Sequence, residues 1–357
     1  MNINLQKIVF AFFATTISLC LSAQNELWVK TSSERYSNDA KARRNSTPEK
    51  ADYYQLDLNL LKSKLVGAPI RGQFTGQSSL IISFPTAEGK LEQFRVMESP
   101  IMHPDLAAKY PMIKTYAAQG IDDPTSTMRF SITQFGLHSM VLSGTHSANY
   151  IDPYTTTSNI YMVYDKKSLG ANNRNFDCLT NEDIELPSLK NDVASVLNTN
   201  DQKLRTFRLA QSCNAEYGNI FAGTGTLAQQ KANIQAQMVI TINRVNGVYE
   251  RDLSITMEFV PNNDLIIYCG STTTDPWSNE WNTKTAQTID AAIGVANYDI
   301  GHNFNTTGGG NAGCIGCVCQ GSSGSQGGTH KGRGYTGSTN PTGDPFDIDY
   351  VAHEMGH

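Results

Sequence analysis

The hydrophobic pattern of this chain changes character once, and that change most constrains what it can fold into. Between Tyr53 and Tyr164 the apolar residues come in short runs, "SSLIISFPT", "LEQFRVME", "TMRFSITQFGLHSMVLS" and "NIYMVYD". They are rich in β-branched and aromatic residues and are punctuated by Gly, Pro and Asp, which predicts a strand-rich domain over residues 51–166. One segment within it, "DLNLLKSKLVGAP", is apolar at helical spacing and stops on Gly-Ala-Pro, so it predicts a single helix. From residue 203 the pattern alternates: strand-like "LRTFRLAQSC", a long helical segment over 227–245, strand-like "LSITMEFV" and "LIIYCG", then helical "TKTAQTIDAAIGVA". Such alternation predicts an α/β layer domain over residues 203–357. The stretch 167–202 between them is rich in Asn and Asp and weakly periodic, as expected of a linker.

The 357 residues are enough for two cores, and no repeat period runs along them. A formal net charge of -5, without long like-charge runs, excludes a basic surface for nucleic acid and a polybasic membrane anchor. The first residues combine Lys7, an apolar run from Ile8 to Leu21 and the small Ala23. That is the pattern of a secretory signal peptide over 1–23, since about 14 apolar residues are too few to span a bilayer. The chain is therefore expected to be secreted, with no stable membrane anchor. Residues 24–50 are polar and aperiodic and are expected to be a flexible lead-in. Beyond Cys20, the cysteines are Cys178, Cys213, Cys269, Cys314, Cys317 and Cys319, all read in an oxidising compartment.

The chemistry concentrates in "DPFDIDYVAHEMGH". Asp344 is placed to cap a helix whose first turn holds Pro345, with Asp347 and Asp349 near the positive end of its dipole. His353 and His357 are four residues apart, so on a helix both imidazoles leave one face and can hold one zinc ion. Glu354 falls in the general-base position of an HExxH site, where it can take a proton from a zinc-activated water. Such sites use three protein ligands, so the third is expected past His357 and the sequence is expected to be a piece of a longer precursor, inactive as it stands.

The remaining candidates carry less. The Gly-rich stretch 308–334 reads as a long surface loop and lacks the Gly-Lys-Ser/Thr of a phosphate-binding loop. Cys314, Cys317 and Cys319 within it are expected in disulfides rather than on a structural zinc, because no second Cys or His pair accompanies them. His302 is expected in a strand or at the core edge and His330 in a loop, neither on zinc.

With these residues in view, "GDPFDIDYVAHEMGH" resembles the active-site helix of the metzincins, and more closely that of secreted bacterial reprolysin-like zinc metallopeptidases. "LRTFRLAQSCNAEYGNIF", "NDLIIYCGSTTTDPWSN" and "YDIGHNFNTTGGGNAG" are similar to that catalytic domain, and the stretch from "FRVMESPIMHP" to "MVLSG" is similar to the propeptide that precedes it. The resemblance implies a β-rich propeptide domain followed by the upper subdomain of a metzincin-type α/β zinc protease. It implies zinc on His353 and His357, Glu354 as the base, and protein or peptide substrates. Glu216 and Asp299 are the candidate carboxylates for a structural calcium ion, as in some reprolysins. The chain's own propeptide would be a partner, with conversion expected by cleavage in the linker between Pro187 and Arg205. Cys178, the one mature cysteine of the propeptide half, has two readings. A disulfide, with Cys213 as a partner, is the commoner fate; its thiolate on the open zinc position would make it a zymogen switch. The competing reading of the whole chain is a non-catalytic exported binding protein on a degenerate metzincin fold, against which Glu354 speaks, because a binder needs no base.

Overall fold

The computed structural model describes residues 27–170, 176–180, 202–321 and 328–357. The expected signal peptide, and residues 171–175 and 181–201 of the expected linker, lie outside the described residues. No helix among those described is long and apolar enough to cross a membrane.

The first half is a nine-stranded antiparallel sheet. Its strands are β1 (Trp28–Thr31), β2 (Asp52–Leu56), β3 (Ile81–Pro85), β4 (Leu91–Glu98), β5 (Lys114–Gly120), β6 (Thr127–Thr133), β7 (Gly136–Leu142), β8 (Asn149–Pro153) and β9 (Ile160–Asp165). From β3 to β9 each strand pairs with its neighbour in sequence; then β9 pairs with β2, and β2 with β1. The sheet curls until its two edges nearly meet. Trp28 on β1 donates its indole N–H to the Ser83 carbonyl on β3 at 3.0 Å and packs its ring against Phe84, Tyr54 and Tyr161. This corrects the expectation of a flexible lead-in over 24–50. The segment is polar, but one buried aromatic with a satisfied N–H is enough to fix a strand at its start.

Both faces of the far side of this barrel are buried. On β9, Tyr161 and Val163 point into the barrel while Met162 and Tyr164 point outward into a second apolar cluster. Period-2 alternation combined with burial on both faces explains why "NIYMVYD" reads as an unbroken apolar run. The predicted helix forms as α1 (Leu58–Leu65): the Asp57 carboxylate accepts from the Leu60 N–H at 2.8 Å, and Leu61 and Leu65, four apart, enter the core. A short helix, α2 (Pro104–Lys109), follows β4.

The second half is a five-stranded sheet in the order β11-β10-β12-β14-β13, with β10 (Arg205–Cys213), β11 (Ile255–Phe259), β12 (Ile300–Asn305), β13 (Gly309–Asn311) and β14 (Gly334–Gly337). Four strands are parallel, and β13 is an antiparallel edge. After α3 (Ala215–Phe221) comes α4 (Leu227–Leu253), longer than predicted, opened by a capping box in which Thr226 and Gln229 bond reciprocally. It is wedged between sheet and barrel, so even Gln235, Thr241, Asn243, Arg244 and Asn246 are buried. The last long helix, α5 (Trp281–Ile293), packs Ile289 and Ile293 with Ala210 and Tyr298.

One expected strand is absent: "LIIYCG" starts within a 3-10 turn at Asn263–Ile266 and then makes a single bridge, from Ile267 to Cys213. The side chain of Asn263 does the work of a strand there. Its amide accepts from the Gln211 N–H at 2.8 Å and donates to the Gln211 carbonyl at 3.0 Å, satisfying β10 where its ladder to β11 has ended.

Candidate metal centre

The histidine-bearing segment is not the capped α-helix the sequence predicts. Residues Pro345–Ala352 form a wide π-helical turn that tightens to α-helix only at His353–Gly356. Asp344 has helical dihedrals and makes no cap bond. Its carboxylate instead accepts from the Tyr150 hydroxyl and pairs with Lys166 at 2.9 Å. Asp349 also takes Lys166, at 3.0 Å. Asp347 is fully buried and accepts from Thr241 at 2.7 Å and from Arg244 at 3.0 Å. Arg244 in turn pairs with Asp152 of β8. The acidic residues read as helix-dipole partners are therefore anchors that fasten this turn to the barrel and to α4. A π-turn loosens the local carbonyl ladder, and the Tyr249 hydroxyl donates to the Ala352 carbonyl at 2.6 Å.

Held this way, His353 and His357 bring their Nε2 atoms to 3.2 Å of each other, rings nearly perpendicular. Cys178 Sγ lies 3.4 Å from His357 Nε2. The three donor atoms all lie within 4.8 Å of one another, and among the described residues no other group of three or more His, Cys, Asp or Glu side chains converges in this way. Glu354 is 1 % exposed; its Oε2 accepts from Thr180 at 3.1 Å, while Oε1 is buried without a partner. Burial pushes its carboxyl pKa up, an effect partly offset by Thr180, Cys178 and the two imidazoles.

Cys178 arrives on a strap that adds itself to the edge strand. Leu179 N–H donates to the Gly310 carbonyl at 2.8 Å, and Gly310 N–H donates to the Asp177 carbonyl at 3.1 Å. The Asn311 amide holds the Leu179 carbonyl at 2.7 Å, and Ala312 N–H donates to the Thr180 hydroxyl at 2.9 Å. Phe176 stacks on Tyr350 at 4.2 Å and meets His353 edge-on. Gly310 permits the close approach of Glu354, because a Cβ there would stand 2.5 Å from the glutamate Cγ.

Residues 235–357 match the reprolysin-like model of metallopeptidase family M12B. The match begins inside α4, so the barrel, the strap and β10 lie outside the reprolysin-like stretch. No curated protein matches the chain.

The structure thus gathers His353, His357, Glu354 and Cys178. Glu216 and Asp299 are not part of any such cluster: Asp299 is bound by the Arg208 guanidinium, at 2.7 Å and 3.0 Å, and Glu216 accepts from Asn214. The Cys178–Cys213 disulfide is not formed, because Cys213 is wholly buried in β10 while Cys178 is exposed on the strap. Cys314 and Cys317 form a disulfide, whereas Cys319 is free. His302 is buried in β12 against Thr336, its pKa pushed down to about 3 by burial, and His330 faces Asp290 at 3.2 Å. The supposed surface loop 308–334 begins as β13, and its Gly316 N–H donates to the His357 carbonyl at 2.7 Å. Sequence reasoning missed Thr180, Gly310, Tyr249 and Lys166. The signal for Gly310 lay in "TTGGGNAG", where a run of small residues marks a strand that another chain segment must approach closely.

Proposed function

We propose that this chain is the latent form of an exported zinc endopeptidase, its barrel and strap forming the propeptide. The observation that carries the reading is the convergence of two imidazole nitrogens and a thiol within 4.8 Å, beside a buried glutamate with one free oxygen. Two imidazoles and a thiol, about a bond length or two apart, form a donor set suited to zinc, so His353, His357 and Cys178 would hold it. When bound, zinc supplies Lewis acidity for attack by water on a peptide carbonyl.

The chain's own residues do the rest. Glu354 Oε1 has no partner and is free to accept a proton from water, and burial raises its basicity. Thr180 engages the other oxygen and orients the carboxylate. In this state, however, Cys178 occupies the position that water needs, and strap residues cover the edge strand where an extended peptide would add. Removal of the strap frees both at once. Conversion by cleavage in the linker, and a third histidine beyond His357, belong to the same proposal.

The test is zinc content and peptide cleavage after linker proteolysis of the full-length protein, beside Glu354→Gln. Zinc in both proteins, with cleavage lowered on the order of 10²–10⁴-fold in the variant, is the expected result. Equal cleavage by the variant, or no zinc in either, would return the chain to the class of binding proteins.

A further inference from the structure

A cavity of about 390 Å³ lies far from the histidines, between the outer face of the barrel and α4. Cross-strand register builds its barrel wall in rows. One row ends on Arg95 and Leu142, and the next runs through Met97, Ala117, Arg129 and Met140. The helix wall is Gly247, Glu250 and Arg251. The small Ala117 leaves the space open on the barrel side, while Gly247 lets α4 come into contact with Met140 at its margin. The helix cannot close it, because Gly247 already stands so near Met140 that a Cβ would come within 2.8 Å of its Cε.

The chemistry of these walls is lopsided. Arg71, Arg95, Arg129 and Arg251 line the cavity against one acid, Glu250. Glu250 is taken by Arg71 at 2.6 Å and by Arg129, and Arg251 is balanced outside by Asp252 at 2.7 Å. Among the described residues Arg95 donates only to the Ser78 carbonyl. Arg129 is 4 % exposed, pairs with Glu250 and donates to the Ser99 hydroxyl at 2.9 Å, and burial pulls its pKa down. Beneath the guanidinium groups the floor is apolar and contains two adaptable methionines, Met97 and Met140.

We propose that this slot binds an aliphatic carboxylate, its head on Arg71 and Arg95 and its chain over Met97, Met140 and Leu142. The volume falls in the range of small-molecule sites, about 300–1,000 Å³. A guanidinium fork matches a carboxylate in shape as well as charge. The methionine floor favours a hydrocarbon tail over a bare anion, since each buried methylene adds to binding. Because one wall is barrel and the other is α4, a bound molecule would also stabilise the joined state.

The experiment is calorimetric titration of the 357-residue chain with octanoate, paired with the rise in Tm it causes, against octylamine, acetate and phosphate. One octanoate should bind, with octylamine inert and the two small anions at least ~tenfold weaker. Arg95→Gln, at a partly exposed position, should weaken octanoate at least ~tenfold. Ala117→Leu should abolish binding by filling the slot. Absence of both heat and Tm shift, equal binding of octylamine, acetate or phosphate, or indifference to Arg95→Gln in a folded protein would each overturn the assignment.

Discussion

Of the contacts that join the N-terminal half to the C-terminal half, two bear on the histidines, and they are built of different materials. The first is a clamp: Asp152, Arg244 and Asp347 form a buried chain of charges, flanked by Tyr150, Asp344 and the half-buried Lys166. The second is a strap of described residues 176–180, exposed at Cys178 and Leu179 and held mainly by backbone bonds to one edge strand. The clamp touches the turn that positions the histidines, while the strap touches the histidines themselves. A buried ion network costs several kcal/mol to break because each orphaned charge stays in a poor solvent, whereas exposed contacts exchange readily with water. The groups that support the site are therefore separate from those that lie over it.

Breaking the clamp should have the largest consequence. Arg244→Met strands Asp152 and Asp347 without their shared cation and should cost about 3–5 kcal/mol in urea unfolding. A loss below about 1 kcal/mol would mean that the two halves do not depend on this network.

The clamp should also leave a signature in pH. Two carboxylates share one guanidinium. Burial raises Asp152, but Arg244 outweighs it and holds that group below the ordinary range, whereas burial dominates at Asp347 and pushes it up to about 6. Between the ordinary value of 3.8 and about 6 the unfolded chain releases this proton while the native chain keeps it, so the native state binds more protons. The contribution of Asp347 is full below the lower value and is lost as pH rises through the upper one. Stability relative to Asp347→Asn should thus fall on the order of 2 kcal/mol between about pH 4 and pH 7. A difference flat with pH would place the titration elsewhere.

The strap should respond least in stability. Cys178→Ala should change unfolding by no more than about 0.5 kcal/mol, as expected for an exposed position. Its effect should appear instead as earlier onset of peptide cleavage during conversion. Unchanged onset would assign the thiol no part in latency.

Legibility in the sequence follows the same division. Periodicity located most of the barrel strands, β10, β11, α1 and the core of α4, because alternation and helical spacing record local burial. The convergence of His353 and His357, with Glu354 beside them, was legible because residues four apart on a helix share a face, which is also local. The clamp was not. Asp344, Asp347 and Asp349 look like N-terminal helix acids until Lys166, Arg244 and Tyr150 are found opposite them, across sequence separations that no window spans. The Gly-rich run hid β13 for a related reason: Gly310 is small to admit Glu354, and composition alone reads small residues as loop. Trp28 defeated the composition of its surroundings, because a single buried indole outweighs many polar neighbours.

The indole of Trp28 and the pairing of Tyr54 with Tyr161 also set an order of assembly. From β3 to β9 the barrel grows by hairpins between sequence neighbours, which close fast. Its last seam joins β2 to β9 across most of the domain, the slow kind of closure. Asp152 and Lys166 reach their final positions only when β8 and β9 are in place, so the turn beneath the histidines acquires its partners late. Closure of the N-terminal sheet is thereby tied to the anchoring of the turn that carries the histidines.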